Sequence, residues 1–124
     1  MIRYQFAGLA PLEGSIMAGW GWVAYKSSRE CAFGCGTQPR LSNESASLYG
    51  LHMALTHAIS AEMWKPNTKF EFAGSHTGKT TPRTLHLLEP LKVELFALLN
   101  DEDNERAMML AQQSIDNEGK RRIR

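Results

Sequence analysis

An α/β fold is predicted for this 124-residue chain by two periodicities and the order in which they occur. Residues 2–7 alternate apolar with polar, and residues 20–36 hold two further strand-like runs joined by a short turn. Later, apolar residues recur at three- and four-residue steps in two separate segments, the signature of amphipathic helices. A meander of antiparallel strands followed by alternating helices and strands is the expected plan.

The first strand places Ile2, Tyr4 and Phe6 on one face and Arg3, Gln5 and Ala7 on the other. Gly8 through Gly19 is rich in turn residues, with Pro11 and Gly14 inside it. Trp20–Tyr25 carries aromatic and β-branched residues suited to a second strand. Lys26, Ser27 and Ser28 form a hairpin turn into a third strand over about Glu30–Gly36.

Ser42 or Asn43 is positioned to cap a helix whose apolar positions are Leu48, Leu51, Leu55, Ala58, Ile59 and Met63. Pro66 stops it near Lys65. Lys69–Gly74 reads as a short strand, and Thr77–Thr84 as a polar, basic loop. Residues 84–90 suit a short helix ending at Pro90; Leu91–Leu99 suits an apolar strand, with helix as the open alternative. The last helix, about 102–117, has Asp101 or Asp103 as its cap and Ala107, Leu110, Ala111, Ser114 and Ile115 on one face. Gly119 is expected to end it. The division is one domain over 1–118 and a basic tail over 119–124, with Lys120, Arg121, Arg122 and Arg124.

Composition narrows the classes of function. The formal net charge of +1 provides no global field that would select a polyanion or an anionic membrane, so any such site has to be local. No run approaches the roughly 18 apolar residues of a membrane span, and the N-terminus has no long apolar stretch. Cys31 and Cys35 lie four apart on a predicted strand, about 13 Å between Cα atoms and beyond disulfide reach. No second Cys or His pair at ligand spacing accompanies them. The expectation is a soluble, unprocessed, cytoplasmic protein with two reduced thiols and no cofactor.

Three local motifs now combine. Residues 19–25 read GWGWVAY, 42–55 read SNESASLYGLHMAL, and 104–111 read NERAMMLA. They resemble, in order, the Gly-Trp-Gly second strand, the Thr-Asn-Asn-Arg-Ala-Glu-Leu helix start and the Asn-Glu-Arg-Ala-Asp-Glu-Leu-Ala last helix of the ribonuclease H family. The resemblance implies a ribonuclease H-like mixed five-stranded sheet, an antiparallel three-strand meander plus parallel strands, flanked by helices.

That family cleaves the RNA strand of RNA–DNA hybrids with two magnesium ions held by four carboxylates. Two cations about 3.5–4 Å apart need hard, negatively charged oxygen ligands. The first family carboxylate ends strand one, some twelve residues before the aromatic of Gly-Trp-Gly, and Gly8 stands there. The second, at the first helix start, corresponds to Ser47, and the third, closing strand four, to Gly74. The fourth falls on Met108, whose thioether is a poor magnesium ligand. Phe-Ala-Gly occurs at both strand ends, which argues against a one-residue misalignment. The resemblance therefore implies a degenerate member with no catalytic residues and no metal.

Binding features are partly retained. Asn43 matches one of the family's asparagines that read sugar hydroxyls, Glu44 replaces the other, and His76 takes the position of a hybrid-contacting residue. Ser42, Ser75, Thr77, Lys79, Thr80 and Arg83 are candidates for phosphate contact, with Arg121 and Arg122 of the tail. The family's basic, aromatic-rich grip on the DNA strand has no counterpart in the short segment after Gly74. His52 and His57 lie on different faces of the first helix, and Trp20, Trp22, Met53, Met108 and Met109 read as core or gap-filling residues. Gly78-Lys79-Thr80 lacks the upstream glycine of a phosphate loop and reads as a solvated turn.

Three readings follow. The leading one is an inactive ribonuclease H-like protein that binds hybrid, duplex or single-stranded nucleic acid weakly, or a protein that handles nucleic acid. The second is a protein-interaction or inhibitor module on the same scaffold. The third is a nuclease with relocated acids drawn from Glu13, Glu44, Glu71, Asp101 and Asp103, although Glu71 points away from the even-numbered positions of its strand.

Overall fold

The alternating segments pair as a five-stranded sheet in the computed structural model, which describes residues 2–60, 70–74, 93–98 and 100–122. Strands β1 (Ile2–Leu9), β2 (Met17–Lys26) and β3 (Arg29–Pro39) precede helix α1 (Asn43–Ser60). Strands β4 (Phe70–Gly74) and β5 (Val93–Leu98), a 3-10 turn (Asp101–Asn104) and helix α2 (Glu105–Arg122) follow. The spatial order is β3-β2-β1-β4-β5. The first three strands pair antiparallel, while β4 runs parallel to β1 and β5 parallel to β4. This is the mixed sheet that the motifs implied.

The hairpin between β2 and β3 turns on Ser27 and Ser28, with φ of 52° and 66°. Two successive left-handed residues give the turn whose twist matches that of the flanking strands. The strands are longer than the alternation suggested: β1 runs to Leu9 and β3 to Pro39. Pairing with β2 supplies backbone bonds to residues that have no strand signal of their own.

One sheet face holds the larger core, where Tyr4, Phe6, Trp20, Trp22, Phe70 and Phe72 meet Leu51, Ala54, Leu55 and Ala58 of α1. Trp20 and Trp22 lie over Gly36 and Gly34, their partners in the β2–β3 register. Large rings on one strand are thus matched by missing side chains on the next. On the other face, Ala7 and Val23 meet Ala107 and Leu110 of α2. There Gly21 lets α2 approach, since a Cβ on it would lie 2.7 Å from that of Leu110.

Several expectations need correction. Helix α2 does not end at Gly119 but continues to Arg122. An interior glycine costs only about 1 kcal/mol relative to alanine, and cations in the last turn favour the helix C-terminus. The last helix begins at Glu105, behind a 3-10 turn over Asp101–Asn104, so Asp101 and Asp103 stand within that turn and not at the position just before the helix. Ser42 is the cap of α1, its hydroxyl accepting from Ser45 N at 3.1 Å. Ile59 is more exposed than its place on the apolar stripe suggested, at 36%.

The register between β2 and β3 shifts at Ala24/Tyr25, leaving Cys31 between Ala32 and Glu30 with no partner position in β2. The simple alternation that related Cys31 to Cys35 is therefore broken; both thiols are free and exposed. The stop at Pro66 and the short helix at 84–90 lie outside the described residues. Among the described residues, no helix is long and apolar enough to cross a membrane.

Candidate functional site

Strands β1 and β4 bring the two Phe-Ala-Gly segments side by side, with Phe6 opposite Gly74 and Gly8 two residues farther along the same face of β1. The backbone of Ala46 and Ser47, in the first turn of α1, occupies the space that a Cβ on Gly8 would need. The ring of Phe6 occupies the space beside Gly74 in the same way. Ser47 and Phe6 are fully buried. Met108 packs from the other side of the sheet, against the cluster of Ala7, Val23, Ala107 and Leu110.

The four positions that the resemblance singled out thus gather around residues 6–8 of β1. Gly8, Ser47 and Gly74 are buried on the α1 side of the strand and Met108 is half-buried on the other, so they do not form one shallow surface. Two residues of this arrangement were not singled out from sequence. Phe6 fills the centre, and Asn104, fully buried, donates from Nδ2 to the carbonyl oxygen of Phe6 at 2.8 Å. Asn104 opens the NERAMMLA motif, and Phe6 is the first residue of the repeated Phe-Ala-Gly. Those were the available signals.

The donor set does not fit a pair of divalent ions. Two positions have no side chain, one has a buried hydroxyl and one a thioether, and a longer side chain at Gly8 would displace α1. The acids near the motifs are dispersed: Glu13 is exposed in the β1–β2 loop, Glu44 is half-buried at the start of α1, and Asp103 is exposed in the 3-10 turn. Glu71 takes the opposite parity to Phe70, Phe72 and Gly74 on β4, and the Asp101 side chain lies outside the described residues. Among the described residues, no three of His, Cys, Asp and Glu come together as metal ligands do.

At the rim, Asn43 accepts from Ala10 N through Oδ1 at 2.6 Å. Its side chain thereby fastens the end of β1 to the start of α1. Ser42 and Asn43 both remain exposed beside this end of the sheet, although each also has a structural bond. Ser75, His76, Lys79, Thr80 and Arg83 lie outside the described residues. Arg121 and Arg122 form the last turn of α2. Thirteen residues of helix separate Arg121 from Met108, about 20 Å along the axis, so the tail arginines belong to another part of the surface.

Farther along β1, the Tyr4 hydroxyl and His57 Nδ1 are 2.7 Å apart. The His57 ring lies 4.6 Å from that of Trp22, centroid to centroid. Burial pushes the imidazole below its ordinary pKa and the Tyr4 phenol above its own. Both groups are neutral at physiological pH and share one hydrogen bond whose direction follows the imidazole tautomer. His57 is a packing residue of the α1 face.

No protein-family model matches the chain, and no curated protein sequence matches it. Solved structures do. RNase H1 from the halophilic archaeon Halobacterium salinarum superposes with a TM-score of 0.76 at 22% identity, over 94% of this chain and 98% of that one. LC11-RNase H1, from a compost metagenome and in complex with an RNA/DNA hybrid, gives 0.77 at 16% identity, over 94% and 98%. The N-terminal RNase H domain of a Mycobacterium tuberculosis protein gives 0.73 at 16% identity, over 97% and 98%.

Proposed function

From the ribonuclease H-like fold of this chain, we propose that it is a non-catalytic binding protein that engages nucleic acid weakly. The observation that carries the reading is the packing at the ends of β1 and β4. The first turn of α1 closes over Gly8 and the Phe6 ring closes over Gly74. Carboxylates are absent there, and their space is taken by backbone and an aromatic ring. A site filled in this way does not hold two metal ions and an attacking water.

Nucleic acid is favoured as the partner because LC11-RNase H1, similar over nearly its whole length, is held in a complex with an RNA/DNA hybrid. On this chain, Ser42 and Asn43 stand at the rim of the corresponding end of the sheet. The basic segment with Lys79 and Arg83 is the source of phosphate contacts. With a net charge of +1, affinity is expected to be low and little dependent on base sequence.

The test is a titration of hybrid, duplex and single strands at rising salt, alongside a cleavage assay with magnesium and manganese. Expected are no cleavage, weak binding and a steep salt dependence. The Lys79→Ala/Arg83→Ala double variant should reduce the salt slope by about one unit per lost contact. Metal-dependent cleavage abolished by Glu13→Gln or Asp101→Asn would overturn the reading in favour of relocated acids.

A protein-interaction module is the second reading, favoured by strand β3. It is one of the two edge strands of the sheet and exposes Phe33 at 56%, with the Arg106 guanidinium 5.4 Å from the ring centre. An edge strand offers backbone donors and acceptors to a partner chain. Absence of binding to any strand at micromolar protein would leave this reading in place of the first.

A further inference from the structure

At the opposite end of β1 from Gly8, a cavity of about 390 Å³ is lined, among the described residues, by Arg3, Gln5, Tyr25, Ser27 and Ser28. Arg3 and Tyr25 are direct partners in the β1–β2 register, and Gln5 follows Arg3 on the same face. The Ser27-Ser28 turn closes the end of the cavity. This is the face that α2 covers farther along the strands, at Ala7 and Val23. Here the sheet carries polar side chains in place of that cluster.

Arg3 is half-buried, and its Nε, shielded from solvent, has no hydrogen-bond partner among the described residues. A donor left in that way costs free energy that an acceptor brought by a ligand would offset once the guanidinium turns toward it. The other groups at the cavity are also suited to donate: the Tyr25 phenol, two serine hydroxyls and the Gln5 amide. Burial and the nearby Glu30 carboxylate raise the Tyr25 pKa, with Arg106 and Arg3 acting against them, so the phenol keeps its proton at neutral pH. Glu30 is itself paired with Arg106 at 2.8 Å. Among the described residues, the remaining acid nearby is Glu71, which stands beside Arg3 in the β1–β4 register.

We propose that this cavity is a phosphomonoester-binding site, with the Arg3 guanidinium as the charged ligand and Tyr25, Ser27, Ser28 and Gln5 as further donors. A planar carboxylate presents two oxygens, whereas a tetrahedral phosphate presents three to a ring of donors. A guanidinium fork suits both, and the number of additional donors favours phosphate. The volume exceeds that of a bare phosphate and falls within the range of small-ligand pockets. A mononucleotide and the phosphorylated end of a strand present the same group. The site is separate from the ends of β1 and β4 and stands whether or not nucleic acid binds there.

Binding is tested on the full chain by NMR, following the Arg3 side-chain Nε–H and the Ser27 and Ser28 amides. The probes are inorganic phosphate, adenosine monophosphate, and a short oligothymidylate with and without a 5′-phosphate. Saturable shifts at these groups are expected with phosphate and the mononucleotide. Arg3→Gln should weaken binding about tenfold or more, and Tyr25→Phe by about threefold to tenfold, since it removes one hydroxyl and keeps the ring. Glu71→Gln should tighten it by removing the opposing charge.

A preference for the 5′-phosphorylated strand over its 5′-hydroxyl counterpart identifies a strand end as the source. Binding of the mononucleotide alone identifies a free nucleotide. Circular dichroism establishes that each variant is folded, and Tyr25→Phe decides the matter if Arg3→Gln is not. No shift at millimolar phosphate, or affinities unchanged in the folded variants, overturns the assignment.

Discussion

Tyr4 and His57 join the middle of the sheet to the last turn of α1 through a 2.7 Å bond between the phenol oxygen and Nδ1. Around it, the Tyr4 ring stacks on Phe72 at 5.1 Å and 10°, and His57 covers Trp22. Tyr4 is completely buried. A polar pair at the centre of an aromatic cluster fixes how the helix sits on the sheet, because an apolar contact alone would tolerate small slips along the surface.

The first consequence is a pH dependence of stability. Unfolded, His57 takes up a proton near the ordinary imidazole value of about 6.5, but burial delays this to lower pH in the folded chain. Between the two values the unfolded state binds more protons, so stability rises with pH. The contribution is complete above about pH 6.5 and is lost as pH falls below it, levelling once the folded imidazole is also charged. Urea midpoints measured across this range should fall toward acid, and His57→Gln should flatten that part of the profile.

The pair should also be strongly non-additive. Replacing His57 with Phe leaves the fully buried Tyr4 hydroxyl without its partner and should cost about 1–3 kcal/mol. Tyr4→Phe should cost about 0.5–1.5 kcal/mol, since the imidazole it leaves unpaired is only half-buried and can turn to water. The double variant should recover part of the His57→Phe loss. Chemical denaturation of the three variants gives the coupling, and simple addition of the two single effects would contradict the role assigned to this bond.

At Gly8 the expectation is steric. Gly8→Ala forces a Cβ into the backbone of Ala46 and Ser47, and overpacking of this kind costs about 1–3 kcal/mol or more. Gly14, with φ of 81° and open space around it, is the control. Gly14→Asn should be nearly neutral, because asparagine tolerates that conformation. Thermal unfolding should separate the two clearly, and a fourfold replacement introducing acids at Gly8, Ser47, Gly74 and Met108 should yield a destabilised protein and not a nuclease.

The order of the motifs and the repeated Phe-Ala-Gly pointed to Gly8, Ser47, Gly74 and Met108 as neighbours of β1, but not to which face each takes. The first three lie on the α1 side and Met108 packs from the α2 side. That Phe6 fills the region and Asn104 is tied to its carbonyl was not legible. Neither depends on neighbours in sequence: Phe6 reaches Gly74 across a parallel strand pair, and Asn104 reaches Phe6 across 98 positions. The Arg3 cavity was hidden for the same reason, since Arg3 faces Tyr25 only once the hairpin is paired.

Local pattern, then, was enough for the meander, the capped first helix and the strand at 70–74, since period-two and three-to-four alternation are properties of a chain segment alone. The parallel arrangement came from the resemblance, and strand over helix at 93–98 came from the structure. Close approach is a property of what lies opposite. The glycines of β3 under Trp20 and Trp22, the turn of α1 against Gly8, and the offset left by Cys31 came from the packed sheet. So did the continuation of α2 through Gly119. In each case a contact between segments remote in sequence, or the cooperativity of a formed helix, outweighed the preference that the residue carries by itself.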